Sequence, residues 1–292
     1  MNKNRKGIIL AGGSGSRLYP VTSVTSKQLL PVYDKPMIYY PLATLMLAGI
    51  GEILIISNPH NIDAYKAVLG TGEAFGINLE FKEQSNPNGI AEALLLAEDF
   101  LDGSHCALIL GDNIFYGSSL KKILSESSEI SSGATIFGYR VSDPFRYGIA
   151  SFDNDGVVTK IVEKPTNPDT NVAVTGLYFY DERAVEFTKS LTPSGRNELE
   201  ITDLNSLYLK DNSLNIKILG RGFAWLDAGT CDSLLDASNF ISTIQKRQGM
   251  VVSSPEEIAI ENGWISSLKL KNLLLTYPEN TYSDYLKSLV SE

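Results

Sequence analysis

The feature that most constrains this chain is the alternation, through its first half, of short apolar runs with segments of helical spacing. Gly7–Ala11, Glu52–Ser57, Leu79–Lys82 and Cys106–Leu110 read as strands, and Met37–Leu47, Ile62–Leu69, Ala91–Asp99 and Leu120–Ser125 read as helices. Two parallel strands need a crossover that carries the chain back to the same end of the sheet, and a helix usually supplies it. The order therefore predicts an α/β fold, Rossmann-like and doubly wound, with a mostly parallel mixed sheet flanked by helices. In such sheets ligands collect beyond the carboxyl ends of the strands, so GGSGSR after the first run and GDN after Leu110 should share one rim.

The texture changes from Ala134. Ala134–Arg140, Ile149–Phe152, Val157–Glu163 and Val172–Tyr180 are strand-like and separated by turn-rich stretches such as FDNDG and EKPTNPDTN. Helical spacing returns at Asp181–Ser190 and Ile201–Lys210, followed by strands at Asn215–Leu219 and Phe223–Leu226 and a long helix over Cys231–Arg247. With no repeat, low-complexity tract or linker, the pattern predicts one domain over residues 1–250 and a small helical C-terminal extension over 251–292.

A net charge of -9 argues against nucleic acid as the main partner, because binding a phosphate backbone needs a clustered surplus of cations. A small anion needs only a few placed ones. No apolar stretch approaches membrane-spanning length and the N-terminus lacks a signal-peptide core, so a cytoplasmic protein without membrane contacts is expected. Cys106 and Cys231 lie far apart without CxxC spacing and read as packing residues rather than a disulfide or zinc site.

Three segments carry chemistry. In the loop Gly12–Pro31, glycines at 12, 13 and 15 permit close backbone approach, and Arg17 and Lys27 add full charges with no nearby carboxylate to answer them. That combination suits phosphate binding. The loop is not a P-loop, and Leu18 stands where a dinucleotide fingerprint would end in glycine, which tells against a dinucleotide-dependent oxidoreductase. Asp112 and Asp227 each follow an apolar run at a strand's carboxyl end, where carboxylates can hold Mg²⁺ for phosphoryl chemistry. Glu163 and Lys164 end a strand before Pro165, and alternation sends their side chains to opposite faces unless the strand bends.

Read together, these segments resemble the sugar nucleotidyltransferases. The resemblance runs from GGSGSRLYPVTSVTSKQLLPVYDKPMIYYP through EQSNPNGIAEA, LGDNIFYG, RYGI, VEKP, VTGLYFYD and RNELEITDLN to WLDAGT, and so covers essentially the whole chain. It implies a thymidylyl transfer from dTTP to glucose 1-phosphate with Mg²⁺ as cofactor, by a homotetramer. It further implies that residues 1–130 hold the nucleotide and 131–250 the sugar. Arg17 and Lys27 would hold the triphosphate, with Gly12 and Gly13 approaching by backbone, and Gln84 and Gly89 would read the pyrimidine edge. Asp112 and Asp227 would be the Mg²⁺ ligands, Lys164 the cation on the sugar phosphate, and Gly148, Glu163 and Val174 sugar contacts.

A phosphomonoester has a second pKa of about 6, so its attacking oxygen is already ionised at neutral pH and no general base is needed. This agrees with a chain whose two histidines, His60 and His105, read as incidental loop residues. A UTP-preferring or other sugar 1-phosphate nucleotidyltransferase is the alternative, as is a non-catalytic nucleotide-sugar sensor, which would be expected to lose a metal ligand or phosphate cation. Glu261 stands where Arg is common in the family, and Gly117–Ser119, with Ser118 at its centre, reads GSS where many members read GHD; the resemblance places this region near a second nucleotide-sugar site used for feedback, which Glu261 should weaken by its charge although Arg221 could still serve.

Overall fold

A computed structural model describes residues 5–13 and 15–291, so that Ser14 of the glycine-rich loop lies outside the described residues. In chain order the strands are β1 (Lys6–Leu10), β2 (Pro31–Val32), β3 (Lys35–Pro36), β4 (Glu52–Ser57), β5 (Asn78–Glu83), β6 (Cys106–Leu110) and β7 (Asn113–Tyr116). There follow β8 (Ala134–Arg140), β9 (Gly148–Phe152), β10 (Val158–Glu163), β11 (Val172–Tyr180), β12 (Leu214–Leu219) and β13 (Ala224–Asp227). Nine of them form one mixed sheet running β10-β9-β11-β6-β1-β4-β5, with β8 also on β11 and β12 on β8.

The first half is parallel: Ile9 of β1 stands level with Ile55 of β4 and Ile109 of β6. Both faces of this part are covered, and the buried residues divide by parity. Ile9, Ile53, Ile55, Ala107 and Ile109 enter one core, whereas Ile8, Leu54, Ile56, Cys106 and Leu108 enter the other. That division is what continuous apolar strands require when helices lie on both faces. In the second half β11 runs antiparallel to β6, β8 and β9.

The helix expected from Met37 begins at Tyr39 and runs to Leu47. Lys35 and Pro36 are taken by the β2–β3 ladder, and the N–H groups of Met37 and Ile38 bond Leu30 O and Gln28 O, which commits them to the loop. Seven of its nine residues are buried, as for a helix apolar all round. The Ala91–Asp99 pattern is two short helices, Glu92–Leu96 and Glu98–Leu101, meeting at Ala97 with ψ near 0°. After residue 250 come helices Pro255–Glu261, Ser267–Leu274 and Thr281–Ser288. They are tied to the body by Asn262 Nδ2, which donates to Met46 O at 3.0 Å, and to one another through buried Glu256, which accepts from the hydroxyls of Tyr277 and Tyr282.

Cys106 is buried as expected, but Cys231 is exposed at the start of helix Cys231–Gln248, so only the first is a packing residue. His60 is an exposed loop residue, whereas His105 is buried with Nε2 2.8 Å from Glu182 Oε2. Among the described residues no helix is long and apolar enough to cross a membrane.

Candidate active site

The loops beyond the carboxyl ends of β1 and β6 meet the β9–β11 end of the sheet in a cleft of about 310 Å³. Arg17, Asp112, Gly148, Glu163, Lys164, Val174 and Asp227 all line it. The Arg17 loop is anchored from below. Ser26 Oγ donates to Gln28 Oε1 at 2.8 Å and lies 2.7 Å from the Tyr65 hydroxyl, while Thr22 Oγ1 bonds Gly15 O at 2.9 Å. These contacts put Lys27 in a short buried helical turn from which its ammonium bonds the Asp112 carboxylate.

Asp112 is held from a second side by Asn113, whose Nδ2 donates to Asp112 Oδ1 at 2.9 Å. Burial alone would push this carboxyl up, but the Lys27 ammonium and the hydrogen bonds from Lys27 and Asn113 hold it below the usual carboxylate range. Asp227 behaves in the opposite way. Burial and then the Asp112 charge push it up, against the attraction of Arg146, Lys27 and Arg17. The two aspartates are neighbours because β7 and β13 pair antiparallel with Asn113 opposite Asp227, and the Ala228 N–H bonds Asp112 O at 3.2 Å. Arg146 Nη2 sits 3.2 Å from Asp227 Oδ2, and a Cβ on Gly229 would meet both Asp227 Oδ1 at 2.6 Å and Arg17 Nη2 at 3.1 Å.

Such an arrangement fits a hard divalent ion. Two carboxylates share one rim, the charge of Asp112 adding to the cost of ionising Asp227, and Mg²⁺ characteristically takes one or two carboxylates and fills its shell with water and phosphate. Among the described residues no group of three or more His, Cys, Asp or Glu is arranged for a metal, so the protein's share would be these two.

On the other wall, Glu163 accepts from Thr202 Oγ1 at 2.7 Å and stands 3.5 Å from Arg196 Nη2 and 3.4 Å from Lys164 Nζ. The face problem posed by consecutive Glu163 and Lys164 is removed because β10 ends at Glu163 and Lys164 turns to φ +43°, its N–H bonding Tyr147 O at 3.0 Å. Both residues thus line the same cleft. Trp225 lines it too, with the Tyr147 ring tilted against it at 5.1 Å.

Gln84 lies beside Gly12 rather than in this cleft, and Gly89, packed on the Leu199 backbone and next to the cleft residue Ile90, does not line it either. A Cβ on Gly12 would stand 2.5 Å from Gln84 Oε1, which puts that amide beside the glycine-rich loop, while Gly13 is open to solvent. Gly89 has φ +109°, a backbone that side chains disfavour. Asn113, Arg146, Tyr147, Thr202 and Trp225 were not singled out from the sequence. The signal was available, since each lies inside or next to a motif that was read, GDN, RYGI, EITDLN or WLDAGT.

A larger cleft of about 790 Å³ opens at the opposite end of the strands, lined in part by Arg5, Glu52, His105 and Trp264. It is a poor anion site, because Arg5 spends four hydrogen bonds on the carbonyls of Ser128, Cys106, Tyr180 and Ile130.

The chain matches known proteins over nearly its whole length. The nucleotidyl transferase family matches residues 6–244. A glucose-1-phosphate thymidylyltransferase of Xanthomonas campestris pv. campestris is 54% identical over 98% of this chain and 97% of its own. Another from Neisseria meningitidis is 52% identical over 98% and 100%, and one from Mycobacterium tuberculosis 47% identical over 98% and 99%. Among solved structures, a Bacillus anthracis protein described as a glucose-1-phosphate thymidylyltransferase, in complex with sucrose, superposes with a TM-score of 0.75 at 42% identity, over 81% of this chain and 94% of its own. A UDP-glucose pyrophosphorylase with UDP-glucose bound, 24% identical with a TM-score of 0.68 over 83% of this chain and 99% of its own, shares the fold. The chain belongs to the nucleotidyl transferase family and is a nucleotidyltransferase of the sugar nucleotidyltransferase group.

Proposed function

We propose that this enzyme transfers a thymidylyl group from dTTP to α-D-glucose 1-phosphate, giving dTDP-glucose and pyrophosphate. The observation that carries the reading is the joining, in one cleft, of the Arg17, Asp112 and Asp227 rim to the Glu163, Lys164 and Thr202 wall. One side suits a triphosphate with a divalent ion and the other a phosphorylated sugar. The near-full-length relatives named for this activity support the choice of substrates.

A sugar phosphate oxygen, already ionised near neutral pH, attacks the α-phosphorus in line. The new P–O bond forms as the bond to the bridging oxygen breaks, and pyrophosphate leaves with that electron pair. Lys164 holds the attacking phosphate, and Glu163, fixed by Thr202, accepts from a sugar hydroxyl with Gly148 and Val174 alongside. Arg17 and Lys27 neutralise the triphosphate, with Gly12 and Gly13 approaching it by backbone. Gln84 and Gly89 face the base. Mg²⁺, held by Asp112 and Asp227, would supply charge neutralisation at the phosphates. No histidine is called on.

Pyrophosphate release on mixing the protein with Mg²⁺, dTTP and glucose 1-phosphate tests this, with the sugar omitted as control. Release that ignores the sugar, or none at all, would sink it. UTP should serve as a poorer substrate, because a site discriminates one methyl by only about 1–3 kcal/mol. A cytoplasmic homotetramer, with residues 251–292 as an extension to the catalytic domain, completes the reading, and light scattering checks the assembly. Glu261, whose carboxylate pairs with Lys121 at 2.7 Å, weakens feedback by a nucleotide-sugar end product in this proposal; strong inhibition by low dTDP-rhamnose would refute it.

A further inference from the structure

Glu92, at the start of helix Glu92–Leu96, answers two amides at once. Gln84 Nε2 donates to its Oε2 and Asn88 Nδ2 to its Oε1, each at 2.7 Å. The oxygen and nitrogen ends of an amide have nearly the same size, so shape alone does not set which end faces which way. Charge sets it here. An ionised carboxylate has no hydrogen to give, so each amide can present only its NH₂ group to Glu92.

Turning Gln84 over would bring a carbonyl oxygen against a carboxylate. Gln84 is 6% exposed, and its Oε1 is directed away from Glu92 to the Gly12 side. The backbone beyond it is equally confined. Leu199 N donates to Asn88 O at 2.7 Å and Ala91 N to Leu199 O at 3.1 Å, with Gly89 clamped between them.

We propose that Glu92 is a positioning residue for base selection: by fixing Gln84 as a hydrogen-bond acceptor, it makes the nucleobase subsite accept an imide edge and reject cytosine. The inference rests on the proposed placement of Gln84 and Gly89 against the base. Thymine and uracil offer an N3–H to the Gln84 carbonyl. Cytosine offers a lone pair at N3, which would face the lone pairs of Oε1, and the clamped Gly89 backbone opposes a sideways shift of the ring.

The test compares kcat/KM for dTTP and dCTP, with glucose 1-phosphate saturating, in the wild type, Glu92→Gln, Glu92→Ala and Gln84→Leu. A glutamine at 92 can donate or accept, so Gln84 becomes free to turn over, and alanine removes the constraint altogether. The dTTP preference should shrink about tenfold or more in both Glu92 variants, as expected for a lost or mispaired buried hydrogen bond. The change should fall mainly on KM. A general packing defect would slow both nucleotides alike and leave their ratio intact, so an unchanged ratio in the Glu92 variants beside a collapsed one in Gln84→Leu overturns the role of Glu92. An unchanged ratio in Gln84→Leu as well overturns the placement of Gln84 beneath it. Absence of any dTTP turnover by the wild type would instead overturn the proposed function itself.

Discussion

Trp225 donates its indole N–H to Asn113 Oδ1 at 2.7 Å, and the same oxygen accepts from the Gly176 N–H at 3.0 Å. One amide thereby ties β13 and β11 to β7, while its NH₂ end steadies Asp112. A Cβ at Gly176 would come within 2.7 Å of that oxygen, so the close approach requires glycine. Replacing Asn113 with Leu leaves two buried N–H groups unanswered, at about 1–3 kcal/mol each. Asn113→Asp keeps both of those bonds but loses the donor to Asp112 and adds a like charge beside it. Thermal denaturation should therefore rank Asn113→Leu as the less stable, whereas Asn113→Asp, still folded, should lose most of its turnover. An active Asp variant would show that Asp112 does not depend on this neighbour.

Lys27 and Lys164 should differ in how their loss is felt. Lys27 is buried against Asp112, and removing a unit charge at about 4 Å in a medium of effective dielectric about 20 corresponds to about 4 kcal/mol, or roughly a thousandfold in rate. Lys164 is half exposed, so solvent screens it in the free enzyme. For Lys164→Ala the expected loss is about ten- to a hundredfold, concentrated in KM for the sugar phosphate. Steady-state kinetics with each substrate varied in turn separates the two patterns; equal losses of kcat alone would contradict the assignment of Lys164.

What was legible in the sequence and what was not divide along physical lines. Cys106–Leu110 and Val172–Tyr180 could be bounded to the residue because each is buried along nearly its whole length, and an apolar run, broken in the second only by Thr175 and Gly176, records that directly. Asp112 could be placed on the rim because strand order alone decides which end of a parallel sheet faces a ligand. β7 was not visible. Its four residues follow a turn immediately, and their strand character comes from pairing with β13, far away in the chain. Arg146 is exposed, and nothing in RYGI sets it apart from a solvated arginine; its partner Asp227 lies far along the chain and only the fold brings the two together. Lys164 gave no sign of its left-handed backbone, since nothing in VEKP calls for a positive φ.

Thr202 offers a narrower test of the sugar wall. Its hydroxyl donates to Glu163 Oε2 at 2.7 Å, and the remaining neighbours of that carboxylate, Arg196 at 3.5 Å and Lys164 at 3.4 Å, are too loosely placed to fix its plane. Thr202→Val preserves shape and removes only the donor. A hydrogen bond to a charged group is worth about 1.5–3 kcal/mol, so KM for glucose 1-phosphate should rise about tenfold or more with KM for dTTP unchanged. Parallel changes in both constants would mean that Glu163 is not a sugar contact.

Acid should expose a different group. Asp181 is 3% exposed and accepts from Gly133 N at 2.6 Å, Arg183 Nε at 2.9 Å, Arg183 N at 3.1 Å and the Tyr208 hydroxyl at 2.7 Å. Burial by itself would raise its pKa, but the hydrogen bonds from Arg183, Tyr208 and Gly133 outweigh it and hold the carboxyl below its ordinary value. A carboxyl depressed in the folded state binds protons more readily when unfolded, so its stabilisation is complete above the unfolded pKa of about 4 and is lost as pH falls through the lower folded value. In Asp181→Asn no such titration remains. At neutral pH that variant should be less stable by about 2–4 kcal/mol, because an amide places a donor against Gly133 and Arg183 in a buried site. Below about pH 4 the wild type should weaken more steeply and the two melting curves should draw together. A gap in melting temperature that stays constant from neutral pH into acid would show that Asp181 is not ionised in the folded protein, and the electrostatic account of this cluster would have to be abandoned.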